Sequence, residues 1–342
     1  MRLASKASGV AFLAAAGILI AAVCSGAAAG ATLPAPNGAP RSKGAQQLLD
    51  YLQNIVRGRH ILAGQHDYLE APDAMVNEIY RVTGRYPALH GYELGAISGQ
   101  SEDGVRAARR AVVESAKRWS AAGGIVAFTY HARYPGGCYC WDQVQRQTTD
   151  AELAAILTAG SPKNGQFVRD LDEMAESLAD LQNSGVPVLF RPFHEMNGSW
   201  FWWGGKRIFA DLWRLTYDRL LRHRGIRNLV WVWSPNAPNG DTQPYADFYP
   251  GDAFTDVVAL DIYEGAFSQQ TYDELVRFAG NKPIAIGENA ELPTREALER
   301  QPAWLWQMSW GKLAFEKNTP EALLAFYANP HTITRPPLRS NR

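Results

Sequence analysis

Glu195 and Glu288 are the residues of this chain best placed to do chemistry. Glu195 stands in RPFHEMNGSWFWWG and Glu288 in PIAIGENA, each just after a short apolar run that reads as a β-strand. The interval between them is the one that three strand–helix units would span. In a parallel barrel it puts them at the ends of strands four and seven, across the mouth from each other. Hydrolysis of a glycosidic bond needs such a pair: one group protonates the leaving oxygen while the other attacks or supports the anomeric carbon. A carboxyl separation of about 5–5.5 Å implies retention of configuration, and a wider one inversion. Trp200, Phe201, Trp202 and Trp203 follow Glu195. An aromatic stack suits the apolar face of a pyranose, and apolar surroundings raise a carboxyl pKa toward that of a working acid.

Each feature alone has a plainer reading. A glutamate after a strand is commonly a salt-bridge partner, and a WFWW run is commonly packing under a loop. Two glutamates at matched strand ends, flanked by a histidine and tryptophans, are harder to explain as packing. Rival chemistries fare worse. His194-Glu195 opens like a zinc-protease motif, but Gly198 occupies the position of the second histidine. No G-x-S-x-G elbow supports a serine hydrolase, and Gly311-Lys312 is too little for a phosphate site. His66, His90 and His131 fall near the ends of strands one to three and offer a polar subsite. A satisfied structural histidine is the default for each.

The elements that must position these residues are eight short apolar runs: residues 60–64, 86–90, 124–131, 186–193, 229–233, 256–263, 283–287 and 306–310. Apolar runs without polar alternation suit parallel strands covered on both faces. Between them lie helix candidates near 72–83, 102–122, 205–224, 270–279, 294–301 and 319–327. The clearest helical face is Phe167, Leu171, Met174, Leu178 and Leu181, followed by Gly185 at a C-terminal cap position. Eight strands each followed by a helix give an α/β fold, a single (β/α)8 TIM barrel. An open doubly wound sheet is the rival, without a Gly-rich fingerprint after its first strand. The connection from Arg133 to Gln166 is long and carries Cys138, Cys140 and Trp141 on the face where barrel sites form.

Composition bounds the rest. The chain has 342 residues, with 34 Lys+Arg against 34 Asp+Glu, 46% hydrophobic residues and 11 Trp. A balanced charge gives no field toward nucleic acid or anionic membrane. Arg2 and Lys6, an apolar run from Gly9 to Val23, and small residues up to Ala31 form the layout of a secretory signal peptide. The run falls short of the ~20 residues of a membrane span. We expect residues 1–31 to be a signal peptide, 32–44 a flexible lead-in, 45–330 the catalytic domain and 331–342 a basic tail. Cys138 and Cys140 stand one residue apart, which leaves both a disulfide and free thiols open. Two cysteines do not make a zinc cage.

RPFHEMNGSWFWWG, with IGEN downstream, resembles glycoside hydrolase family 26, a barrel family best known for β-mannanases, and the resemblance runs from about Ile61 to Trp310. It implies that Glu195 is the acid/base and Glu288 the nucleophile of a retaining double displacement. It implies that His194 sits beside the reaction centre and that Trp200 lines the cleft. Tyr263 would hydrogen-bond the nucleophile, and Asp261 would support the −1 site. His131 matches a histidine near the −1 sugar, Trp310 the platform beneath it, and Trp141 a tryptophan that helps bind substrate. Two departures touch the subsites: Gly311 stands where many members have arginine, and Glu93 in GYELG where aspartate is common.

The expected protein is a secreted monomer that cuts β-1,4-mannosidic bonds in polysaccharide, with no cofactor, no metal, and neither nucleic acid nor membrane as partner. Mixed-linkage β-1,3-1,4-glucan and β-1,3-xylan are alternative substrates. A non-catalytic glycan-binding barrel is the alternative of another class.

Overall fold

The structure, a computed structural model, describes residues 41–336; the expected signal peptide lies outside them. Eight parallel strands close on themselves, since the last pairs with the first. They are β1 (Ile61–His66), β2 (Leu89–Glu93), β3 (Ile125–Tyr130), β4 (Val188–Pro192), β5 (Leu229–Trp233), β6 (Val257–Ile262), β7 (Ile284–Asn289) and β8 (Trp306–Trp310). Helices between the strands complete the (β/α)8 barrel that the sequence led us to expect.

Strand period explains how the interior divides. Leu62, Leu89, Leu189, Val230, Val257, Ala285 and Trp306 belong to one apolar cluster that fills the lower interior. Residues two or four positions further along the same strands face the same way at the upper end. There the inward positions turn polar: His66, Glu93, Arg191 and Asp261 are all buried. Polar side chains inside a barrel need partners, and the partners converge at the site described below.

The helix Lys43–Arg57, not anticipated from the sequence, closes the bottom. Its Ala45, Leu48, Leu49, Leu52 and Ile55 join the interior cluster. It begins inside the stretch read as a lead-in, and Arg41 just before it pairs with the buried Asp256. Thr332–Ile333, inside the stretch read as a tail, pairs in parallel with Ile61 and Leu62. On the outer layer, the helix Pro162–Asn183 buries Phe167, Leu171, Met174, Leu178 and Leu181 as its spacing predicts, with Ser161 capping Asn164 N.

Three strands run beyond their apolar runs. Strand β1 continues past Gly64 to His66, β2 lies three residues further on than 86–90, and β7 runs past Gly287 to Asn289. In each the strand continues through polar residues, His66, Glu93 and Glu288, whose partners inside the barrel permit burial. Hydrophobicity alone stops too early there. The helix read as 205–224 is Phe209–Asp218, which widens into a π-helical turn at Arg219–His223. Among the described residues no helix is long and apolar enough to cross a membrane.

Candidate active site

Strand β4 ends in an unusual backbone. Phe193 and Glu195 have φ values of 50° and 55°, in the left-handed region that non-glycine residues seldom adopt. Such strain concentrates at functional sites, where the surrounding contacts hold it. Here Glu195 N donates to Ser234 O at 2.8 Å, and the indole N–H of Trp203 donates to His194 O at 2.9 Å. Phe193 is fully buried in the outer core, while His194 faces Glu288, with Nε2 3.9 Å from Oε2.

Glu288 is placed by an irregularity in β7. Leu260 pairs with Ile286, but Asp261 pairs with Glu288, so Gly287 is the extra residue of a β-bulge. A Cβ at position 287 would lie 2.1 Å from Ser234 Oγ and 2.6 Å from Asp261 Oδ1. Only glycine fits. The bulge sets Glu288 beside Asp261, and the two carboxylates share Arg191. One guanidinium nitrogen donates to Asp261 Oδ2 at 2.7 Å, and the other donates to Glu288 Oε2. Tyr263 OH donates to Glu288 Oε1, and Ser234 Oγ donates to Asp261 Oδ1 at 2.6 Å.

Glu195 has far less support. Its Oε2 accepts one hydrogen bond, from the indole N–H of Trp200 at 2.6 Å. Burial, then the charges of Asp261 and Glu288, push its pKa well above the ordinary carboxyl value, against the weaker pull of Trp200 and Arg191. Asp261 is also pushed up by burial, to about 8, with Arg191 opposing the rise. Burial works against the Arg191 charge, yet Asp261 and Glu288 more than offset it and hold the guanidinium protonated. Three carboxyls thus face one cation, and charge balance favours a proton on one of them. Glu195, the one without a bond to Arg191, is its natural holder.

The histidines form the next layer. His131 Nδ1 donates to Glu93 Oε2 at 2.6 Å, and Glu93 Oε1 accepts from His131 N at 3.0 Å. Its ring lies 4.5 Å from His194 and 5.4 Å from Trp310, edge to face in both cases. His66 stacks on Trp310 at 4.2 Å and covers one face of the indole. Burial and then Arg191 push both His66 and His194 well below the ordinary imidazole range, so both are neutral. Trp141 is half-buried, 5.6 Å from the His131 ring and 6.0 Å from that of Phe201.

All nine residues singled out in the sequence meet here: Glu195, Glu288, His131, His194, Trp200, Asp261, Tyr263, Trp310 and Trp141. The aromatic run after Glu195 corrects the sequence reading. Trp202 and Trp203 have no exposed surface and Phe201 is 5% exposed, leaving Trp200 as the one partly open ring of the four. The Trp202 indole donates to Ala132 O at 2.8 Å, so that ring belongs to the packing beneath the loop. His90 also lies away from the cleft, buried against Asp67 Oδ2 at 3.0 Å. Sequence reasoning missed Arg191, Ser234 and the role of Glu93 as the partner of His131. At Gly311, with φ 48°, a Cβ would lie 2.1 Å from Tyr68 OH, so the tyrosine fills the space beside that position.

His194, Asp261 and Glu288 are the group of side chains close enough to share a metal ion among the described residues. Arg191 already supplies positive charge to both carboxylates. A cation there would have to displace it or sit against it, so the donor set does not suit a metal.

A barrel with a proton-holding carboxyl and an arginine-paired carboxylate at the ends of β4 and β7 has the layout of a glycoside hydrolase. The chain is matched by the model of Glycosyl hydrolase family 26 over residues 37–337, and it belongs to that family. It is 35% identical over 307 residues to a mannan endo-1,4-beta-mannosidase of Thermothelomyces thermophilus, covering 85% of this chain and 60% of that protein. It is 33% identical over 272 residues to a mannan endo-1,4-beta-mannosidase of Bacillus subtilis, covering 74% and 72%. Among solved structures, GH26A from Muricauda sp. MAR_2010_75 superposes with a TM-score of 0.82 at 36% identity, covering 86% of this chain and 97% of that one.

Proposed function

We propose that the chain is a secreted endo-β-1,4-mannanase that works by retaining double displacement. The observation that carries this reading is the asymmetry of the two glutamates. Glu288 accepts from Arg191 and Tyr263, which fix its carboxyl for attack, whereas Glu195 has no cation of its own and burial raises its pKa. In the first step Glu288 attacks the anomeric carbon, the glycosidic C–O bond breaks, and Glu195 gives its proton to the departing oxygen. Glu195, now a carboxylate, takes a proton from water. The water oxygen displaces Glu288 from the anomeric carbon, and both groups return to their starting states.

The remaining side chains hold the sugar. The open face of Trp310 takes the −1 ring, His131 and His194 border it, and Trp200 from the loop after β4 and Trp141 from the connection after β3 line the cleft. Asp261 keeps Arg191 aligned with the nucleophile. The chemistry requires no cofactor or metal, and the protein acts as a monomer on polysaccharide. The signal layout at residues 1–31 and the names of the two relatives support export and mannan as the substrate. Gly311, at a position that borders the Trp310 platform, and Glu93, the partner of His131, are the departures that support the glucan and xylan alternatives.

Two measurements test the mechanism. The first product released from a reduced mannooligosaccharide, followed by proton NMR, appears as the β-anomer if configuration is retained; initial α-anomer overturns double displacement. With Glu195→Ala, azide restores turnover of an aryl β-mannoside and yields the β-glycosyl azide. An α-azide or no rescue contradicts the assignment of Glu195.

A further inference from the structure

On the mannanase reading above, we propose that the Cys138–Cys140 disulfide is a positioning device for Trp141 and thereby sets the affinity of the cleft for polysaccharide. The two cysteines are bonded across a single residue, Tyr139. The chain entropy that a cross-link removes from the unfolded state grows with the logarithm of the ring it closes, so a ring this small gains little global stability. Its effect is local.

The surroundings of the ring are fixed on one side and lead to the cleft on the other. Tyr139 is buried, its ring 3.6 Å beneath the Arg133 guanidinium and its hydroxyl donating to Glu173 at 2.9 Å. Arg133 also donates to Gly137 O at 2.9 Å and to Asp170 at 2.7 Å. Ser98–Gln100 pairs antiparallel with Tyr139–Cys140. Immediately afterwards Cys140 turns the chain into a one-turn helix, Trp141–Val144, without a side-chain cap bond.

Trp141 therefore depends on its backbone. Trp200, Trp202 and Trp203 are each pinned by an indole hydrogen bond. The Trp141 indole N–H makes none among the described residues, and its ring rests edge-on against Phe201 and near His131. The disulfide beside it fixes the direction in which that ring leaves the chain. Cys138 is exposed, so a reductant in solution reaches the bond.

The test is a double-mutant cycle on mannan. Cys138→Ser and Cys140→Ser together should raise KM about fivefold, the scale of ordering one large side chain, with kcat within about twofold. The melting temperature should move by less than about 3 °C, because a ring this small constrains the unfolded chain little. Trp141→Ala should raise KM at least as much, and the cysteine changes should then add nothing. If the serine variant fails to fold, wild type reduced with a phosphine reductant, its two thiols counted, provides the same comparison. Independent, multiplying effects on KM, or a fall in kcat and melting temperature together, would overturn the inference. A wild type without activity on mannan would instead contradict the function proposed above and remove the basis of this one with it.

Discussion

Asp261 and Glu288 lie side by side on neighbouring strands, and Arg191 donates one hydrogen bond to each. The pairing follows from the bulge at Gly287, and it leaves Glu195 as the carboxyl without a cation of its own. The division of labour between the two glutamates therefore originates in strand register and in one inward-pointing arginine.

Arg191 is the first target. Lysine cannot reproduce a planar fork to two acceptors, so Arg191→Lys should lower kcat on mannan by about 10²-fold or more, the cost of losing a charge-stabilising donor in a buried site. Arg191→Met leaves two buried carboxylates without a cation and should destabilise the fold by about 3–5 kcal/mol. Thermal melting and steady-state kinetics read both. Near-normal kcat in a folded Arg191→Met protein would contradict the role.

Trp200 tunes the acid. Its hydrogen bond lowers the pKa of Glu195 against the stronger effect of burial. Trp200→Phe removes the donor and keeps most of the ring, so the alkaline limb of the kcat/KM profile should move to higher pH. The acid limb should stay in place. An alkaline limb that does not move would show that another group sets it.

The raised pKa of Glu195 also predicts a stability effect. A carboxyl whose folded-state pKa exceeds its unfolded value contributes stability below the unfolded pKa and loses it as pH rises through the folded one. Removing the ionisable group removes that loss. Glu195→Gln should therefore melt about 2–4 °C or more above wild type at neutral and mildly alkaline pH, and the difference should shrink below the ordinary carboxyl range. Equal melting temperatures at every pH would mean that Glu195 is not held protonated by the fold.

Much of the molecule was legible in the sequence because barrel strands are buried on both faces and read as plain apolar runs. Glu195 and Glu288 were visible as charges where such runs end. Arg191 was hidden inside its run, in VLFRP, although the signal was there: a cation in a strand covered on both sides demands a buried carboxylate partner. The role of Glu93 escaped in the same way, since β2 continues through it because the His131 ring and the backbone N–H groups of Gly95 and His131 hold its carboxyl. The depth of Trp202 and Trp203 was not legible either. Four aromatics in a row divide between core and cleft according to loop geometry, and that depends on contacts with Ala132 and His194 from other parts of the chain. The helix Lys43–Arg57 went unread because its partners are the lower ends of strands far along the chain.

The most direct test of the central claim is the release of reducing ends from a panel of mannan, glucomannan, mixed-linkage β-glucan and β-1,3-xylan, with Glu288→Ala protein as the blank. Wild type should cleave mannan and glucomannan, and the variant should lose turnover on both. Cleavage confined to the β-glucan or the xylan would contradict the substrate, and equal reducing ends from wild type and blank would contradict the chemistry.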